Sequence, residues 1–532
     1  MIETGRLNIV NPPRAVSLEP ARLAELSARV TALTGRPEQT IYRPFDGEVL
    51  AGLPICVPED VELAVGKARE AQAAWARVEP KARAAVLLRF HDLLLQRQDE
   101  VLDIVQLETG KARRHAFDEL LDAAINAQYN ATRGVGWLRP RRAGGTFAGL
   151  TQTWEYRHPV GVVGVIAPWN YPLTMAVTEP VAALMAGNAV VLKPDPQTSF
   201  CALWIHELFE RAGLPRELFQ VVTGAGEVGA ALIGAVDNVA FTGSTATGRK
   251  VARQAAERLI GVSLELGGKN PMIVLEDANL EAAADGAIRG CFTNAGQLCI
   301  SIERIYIHRS VYEPFKLLLV EKTRALRLGS TLDHRAQVGC ITVGRQFETV
   351  VEHVRDAVGK GARVLAGGKA RPDLGALFFE PTLLEGVTPA MTLYAQETFG
   401  PVVALYPFDD LEEAVARAND SEYGLNASVW TTDLRRGRAV ASRIQAGTVN
   451  VNEAFAAAWA SMDATMGGFK ASGLGRRHGK EGFLRFTEVQ TVALERLYPL
   501  AGPPWLPRGS YQGLVSKLLG VVKWFTRLWY RV

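Results

Sequence analysis

Cysteine is scarce in this chain: five residues in 532, at positions 56, 201, 291, 299 and 340. An odd number without CxxC spacing is poor material for a disulfide framework or a zinc site, and a reducing cytoplasm is the expected setting. Histidine is scarce too; the eight are scattered and no HExxH occurs, so no metal centre is expected. Charge of one sign is lacking. The formal net charge is only +3 with 22% of residues charged, and no chain-wide basic field points to nucleic acid; a small-molecule ligand fits better. Nowhere do 18 apolar residues follow one another, and the opening Met1-Ile-Glu-Thr-Gly-Arg6 has an early acid and no apolar stretch of signal length. Neither export nor a membrane span is expected. What is present is apolar mass: 48% hydrophobic residues over this length bury a large core and divide into two or more domains.

Residues 58 to 136 read as successive amphipathic helices, beginning at Pro58-Glu-Asp-Val-Glu-Leu-Ala-Val65 and continuing through Leu87-Leu-Arg-Phe-His-Asp-Leu-Leu-Leu95. From 159 onward short β-rich runs alternate with helices: Val160–Ala167, Ala189–Lys193, Phe219–Val222 and Val239–Thr242. A second block follows with Met272–Glu276, Arg304–His308, Val402–Tyr406 and Gly447–Val451. Such alternation implies α/β architecture with doubly wound parallel sheets. Gly145 to His158 and Phe486 to Glu495 read as a separate β-ribbon.

Glu265 in Glu265-Leu-Gly-Gly-Lys-Asn270 precedes Cys299 in Asn294-Ala-Gly-Gln-Leu-Cys299 by 34 positions. A cysteine adds to a carbonyl as its thiolate, and a nearby carboxylate takes a proton from the water that later cleaves the thioester. Upstream, Pro168-Trp-Asn-Tyr-Pro172 offers the Asn170 amide as donor to an oxygen that becomes negative during attack. Cys56, Cys201, Cys291 and Cys340 lack such a setting and are assigned to structure.

These three segments resemble the aldehyde dehydrogenase superfamily, together with Lys193-Pro194, Phe241-Thr-Gly-Ser-Thr-Ala-Thr-Gly248, Glu397-Thr-Phe-Gly-Pro401 and Gly467-Gly-Phe-Lys-Ala-Ser-Gly473, over about residues 40 to 496. The resemblance implies an aldehyde dehydrogenase-like fold, with a cofactor-binding domain at 1–138 and 159–265, a catalytic domain at 266–470 and an oligomerisation arm at 139–158 and 484–496. Homodimers or homotetramers are implied with it. The implied reaction is oxidation of an aldehyde to an acid by NAD(P), with Cys299 as nucleophile, Glu265 as base for deacylation, and Asn170 with the Cys299 N–H as oxyanion donors. Cys299 is expected to be partly thiolate near neutrality, helped by helix termini and the bound nicotinamide.

Gly224-Ala-Gly-Glu-Val-Gly229 matches GxGxxG after an apolar strand, yet no acid stands about 20 residues on, so the usual dinucleotide fingerprint is incomplete. By resemblance Gly224 and Gly229 belong to a loop beside the adenine, and Gly243 and Ser244 open the helix that faces the pyrophosphate. Lys193 is placed at the adenine ribose or a phosphate, Glu397 at the nicotinamide ribose, and Trp169 and Phe399 also at the cofactor. Many NAD-preferring relatives carry a glutamate three residues after this lysine, where this chain has Pro196. Without that carboxylate NADP is favoured, although Asp195 partly restores one and NAD stays open.

Within the family, Phe292–Tyr306, Phe241–Gly248 and Gly475-Arg-Arg-His-Gly479 resemble actinobacterial-type succinate-semialdehyde dehydrogenases. The apolar loop Glu453–Met462, with Phe455 and Trp459, would equally suit a medium-chain or aromatic aldehyde. Ser301 stands where some succinate-semialdehyde dehydrogenases hold a second, redox-regulating cysteine. Residues 497–532 form an extension: after the Pro-rich joint 502–507, Lys523, Arg527 and Arg531 make a basic stripe opposite Leu518, Val522, Phe525 and Trp529. Such a helix either lies on an anionic membrane surface through residues 513–532 or packs over its own or a neighbouring subunit.

Overall fold

The computed structural model describes residues 18–144, 151–496 and 502–530, the last six of these without their side chains. Residues 1–17, 145–150 of the expected ribbon, 497–501, and Arg531 of the basic stripe lie outside the described residues, as do the side chains of Phe525, Arg527 and Trp529.

Two sheets belong to one compact unit, whose described residues are 18–137 and 159–487. The first has the order Gly473–Leu474, Gly261–Glu265, Asn238–Thr242, Val162–Ile166, Ala189–Lys193, Phe219–Val221, parallel except for the short Gly473–Leu474 strand. The second runs Arg363–Ala366, Thr382–Glu385, Val402–Phe408, Ile302–His308, Asn270–Val274, Asn426–Trp430, Thr448–Val451, parallel except for Arg363–Ala366. Helices cover both faces of a parallel sheet, so its strands read as unbroken apolar runs; all five positions of Ala189–Lys193 and of Asn270–Val274 are buried. The chain leaves the first sheet at Glu265 and enters the second at Asn270, which leaves only Leu266 to Lys269 for the crossing.

The amphipathic stretch forms helices Pro58–Trp75, Pro80–Gln96, Gln98–Thr109 and Arg113–Trp137. Proline opens the first two, where its missing N–H costs nothing. The second unit, residues 138–158 and 488–532, holds most of a three-stranded sheet in the order Thr487–Glu495, Thr151–Pro159, Arg141–Ala143, and the helix Arg508–Tyr530.

One buried ion pair fixes the loop that carries Asn170. Gly110 ends the helix Gln98–Thr109 at φ 70°, and Lys111, fully buried, follows it. Its ammonium pairs with the buried Glu119, donates to the Asn170 carbonyl at 2.6 Å and sits 4.1 Å from the Tyr171 ring centre. The other Glu119 oxygen accepts the N–H groups of Leu173 and Thr174 at 2.8 and 3.2 Å, in the first turn of helix Pro172–Ala186. Burial lowers the Lys111 pKa and raises that of Glu119, while each partner's charge opposes the shift. Lys111→Met should therefore cost roughly 3–5 kcal/mol, because it strands a buried carboxylate. Lys111→Met/Glu119→Gln should recover part of that loss, as read by the unfolding midpoints of the two variants.

Candidate active site

The loop that carries Cys299 is held in an unusual backbone shape. Asn294 and Ala295 have φ of 52° and 53°, and Gly296 has φ of 72°. Asparagine tolerates this left-handed region, alanine pays for it, and surrounding bonds must hold it. The Asn294 N–H donates to His115 Nδ1 at 3.1 Å; burial pushes that imidazole down to about 3, so it is neutral and accepts. The Gln297 side chain donates to the Asn294 carbonyl at 2.9 Å and accepts the Thr342 N–H at 2.9 Å. Asn170 Nδ2 donates to the Gln297 carbonyl at 3.0 Å, so the expected oxyanion donor is itself fixed to the cysteine loop.

Past Cys299, Asn270 takes over. Its amide donates to the carbonyls of Cys299 at 2.8 Å and Ser301 at 2.7 Å, and its oxygen accepts the Asn426 N–H at 2.9 Å. Lys269, one residue earlier, pairs at 2.5 Å with Glu303, whose oxygens accept the N–H groups of Thr398 and Phe399. That grip sustains Phe399 at φ 50° and sets its ring 5.5 Å from Trp169, edge on at 89°.

Cys299, Glu265 and Asn170 line one cavity of about 520 Å³, with Trp169, Lys193, Gly243, Ser244, Glu397 and Phe399. Gly224 and Gly229 are not among its lining residues. Gly224 turns at φ 140° against Val228, and Gly229 leaves room for the Lys193 stem, 3.6 Å from where a Cβ would stand. Leu298, Ile300, Phe455, Trp459 and Met466 give the cavity apolar lining, and Asp118, Asp122, Arg289 and Glu453 line it as well.

Glu265 Oε1 has no hydrogen-bond partner among the described residues, and burial pushes its carboxyl up to about 7, against the pull of Arg477 and Arg476. Cys299 is partly reachable, yet burial, then Glu265 and Glu397, push its thiol up to about 12. Burial is the largest of these causes, and among the charged neighbours Arg477 pulls the other way. Arg477 went without a role in the sequence reading although it sits in the quoted Gly475–Gly479 segment. It lines the cavity and is locked by Glu179 at 3.0 Å and Thr178 at 2.5 Å. Cys56, Cys201, Cys291 and Cys340 are all buried. The Ser301 hydroxyl donates to the Gly290 carbonyl at 3.0 Å. Among the described residues no group of three or more His, Cys, Asp or Glu is placed to hold a metal ion.

The profile of the "Aldehyde dehydrogenase family" matches residues 33–492. The chain belongs to the aldehyde dehydrogenase family. A Mycolicibacterium smegmatis protein named "Putative succinate-semialdehyde dehydrogenase (NADP(+))" is 49% identical over 94% of this chain and 97% of its own length. The structure of succinate-semialdehyde dehydrogenase from Burkholderia pseudomallei is similar at TM-score 0.84 and 34% identity, covering 87% of this chain and 96% of that one. NAD-dependent aldehyde dehydrogenase from Sinorhizobium meliloti is similar at TM-score 0.86 and 34% identity, over 94% and 99%. The protein is accordingly an NAD(P)-dependent aldehyde dehydrogenase of α/β fold.

The coenzyme end of this dehydrogenase fits a dinucleotide. Helix Thr245–Glu257 presents its N-terminus behind Gly243 and the cap Ser244, whose hydroxyl accepts the Thr247 N–H at 3.3 Å; such an end attracts phosphate. Lys193 is buried with its ammonium on the Pro194 carbonyl at 2.9 Å, and burial lowers its pKa. Asp195 lines the same end but its carboxylate is engaged by the Gln197 N–H at 3.0 Å. Glu397 accepts the Gly268 N–H at 2.8 Å and is pushed up to about 8 by burial and by Glu303.

The opposing charges around the thiol give a signed expectation. Glu265→Gln removes an anion that raises the Cys299 pKa, so at about pH 8 iodoacetamide should label this thiol faster than in the parent chain. Arg477→Met removes the cation that lowers it and should slow labelling, with Cys299→Ala as the blank. Equal rates in all three chains would show that these charges do not reach the sulfur.

Proposed function

We propose that this dehydrogenase oxidises succinate semialdehyde to succinate with NADP. The observation that carries the chemistry is the convergence of Cys299, Glu265 and Asn170 on one cavity. The Cys299 thiol gives up its proton to water, and its sulfur attacks the aldehyde carbon to give a thiohemiacetal. Its oxyanion accepts from the Cys299 N–H and from the Asn170 amide, whose other hydrogen is held by the Gln297 carbonyl. When bound, the coenzyme takes the hydride that leaves this carbon. Glu265, its Oε1 unpartnered among the described residues, takes a proton from water, which attacks the thioester on Cys299 and releases the acid.

NADP is supported by Pro196 in place of a carboxylate, by Lys193 and Arg345 in the cavity wall, and by the name of the M. smegmatis relative. That name and that of the B. pseudomallei structure also support succinate semialdehyde. For the substrate carboxylate we favour Arg289. It lines the cavity, is half exposed, and among the described residues pairs with Glu453 alone, at 3.3 Å, whereas Arg477 is committed to Glu179 and Thr178. A second reading keeps the mechanism but takes an apolar aldehyde; Phe455 and Trp459 favour it, and Asp118, Asp122 and Glu453 would repel a carboxylate. Assembly into homodimers or homotetramers is supported by the edge strand Thr487–Glu495, which is exposed beyond Thr487 and carries Val489, Val492 and Leu494.

Initial rates with succinate semialdehyde, hexanal and benzaldehyde, each with NADP and NAD and with Cys299→Ala as the blank, test this. The proposal expects the highest kcat/KM for succinate semialdehyde with NADP. Arg289→Gln should raise KM for that substrate and leave hexanal unaffected, and Asn170→Ala should lower kcat roughly 10²–10³-fold for every aldehyde. Preference for hexanal or benzaldehyde would sink the substrate assignment and leave the Cys299 chemistry standing.

A further inference from the structure

The charge of this protein is unevenly placed along the chain. Residues 496–532 contain Arg496, Arg508, Lys517, Lys523, Arg527 and Arg531 and no acid, six of the 59 basic residues and none of the 56 acidic ones. Without them the remaining 495 residues hold 53 basic against 56 acidic side chains, so the formal charge reverses to −3. Three of the ten tryptophans, at 505, 524 and 529, fall in the same stretch.

The structure makes this segment a 23-residue helix, Arg508–Tyr530, after the Pro-rich joint 502–507. From Gln512 to Trp524 every position except Val515 is exposed. Leu514, Leu518 and Val521, spaced i, i+4 and i+7 on one face, are 52%, 44% and 50% exposed. Lys523, two positions beyond Val521, falls on the opposite face by helical spacing. Among the described residues no helix is long and apolar enough to cross a membrane.

We propose that helix Arg508–Tyr530 docks this dehydrogenase on an anionic phospholipid surface, lying in the plane of the interface. The polar face decides the occupant. The segment carries cations and no acid, the complement of lipid phosphates and the composition of an interfacial helix's polar face. The net negative remainder of the chain would be repelled by such a surface, so attachment depends on this segment. Tryptophan at the apolar–polar boundary suits the headgroup region.

Co-sedimentation of the full-length chain with phosphatidylcholine vesicles, plain or doped with phosphatidylglycerol, tests the inference. The protein should pellet with the doped vesicles only, and high salt should release it. Lys517→Glu/Lys523→Glu should weaken partitioning by at least about thirtyfold, and Leu514→Asp/Leu518→Asp should abolish it. Dehydrogenase activity in solution reports that each variant is folded. Failure to pellet with doped vesicles at low salt, or pelleting that both double variants leave intact, overturns the proposal. A fall in solution mass of Leu514→Asp/Leu518→Asp by light scattering, without vesicle binding by the parent, would assign the helix to a second copy instead.

Discussion

The amide of Asn270 joins the two halves of the site. By donating to the carbonyls on either side of Ile300 it sets the backbone of Cys299 and Ser301, and by accepting from Asn426 it is itself tied to the next strand. Five residues earlier the chain is still in the other sheet, at Glu265. Glu265 and Cys299, the proposed base and nucleophile, are therefore positioned by one short crossing, and an error in it moves both. The two glycines within it are explained by space. A Cβ on Gly268 would come 2.7 Å from the Cys299 oxygen, and one on Gly267 would collide with the Glu397 carboxylate. Placement errors of this kind, about 1 Å at the reacting atoms, cost of order 10²-fold in rate.

Buried charge is the second constraint. Lys111 with Glu119, Lys269 with Glu303, and Arg477 with Glu179 each put an ion pair behind a segment that touches the cavity. None of these pairs need add stability in itself, since desolvation offsets much of the attraction; what each does is hold a loop in one place. Glu265 differs, because no partner holds its Oε1 among the described residues and its carboxyl is pushed up to about 7. A carboxyl so poised is charged above that pH and neutral below it, so base strength is gained as pH rises through neutrality. Burial likewise pushes the Cys299 thiol up.

Much of the fold was legible because parallel strands buried on both faces leave unbroken apolar runs. Ala189–Lys193 ends where the sequence places it, and Val160–Ala167 is trimmed only to Val162–Ile166. The residues that line the cavity were legible for another reason, as parts of motifs: Cys299, Glu265, Asn170, Trp169 and Phe399 come together from segments far apart in the chain. The supports behind them were not. Lys111, Glu119 and Glu303 are charged, and a charged residue in a helical or strand pattern reads as a solvated one until tertiary packing shows it buried. Lys269, Asn270, Glu303 and Arg477 did stand inside quoted motifs, and that position was the signal available for them. In the GxGxxG segment the glycines are explained by local packing, Gly224 against Val228 and Gly229 beside Lys193, and neither lines the cavity.

The central claim is that a substrate acyl group passes through Cys299 and is released by Glu265. Intact-mass analysis of Glu265→Gln after incubation with NADP and succinate semialdehyde tests it most directly. The account predicts a mass gain of one succinyl group, carried on the Cys299 peptide and absent when Cys299→Ala is added. An unmodified Glu265→Gln chain that still turns over at the parent rate would contradict it.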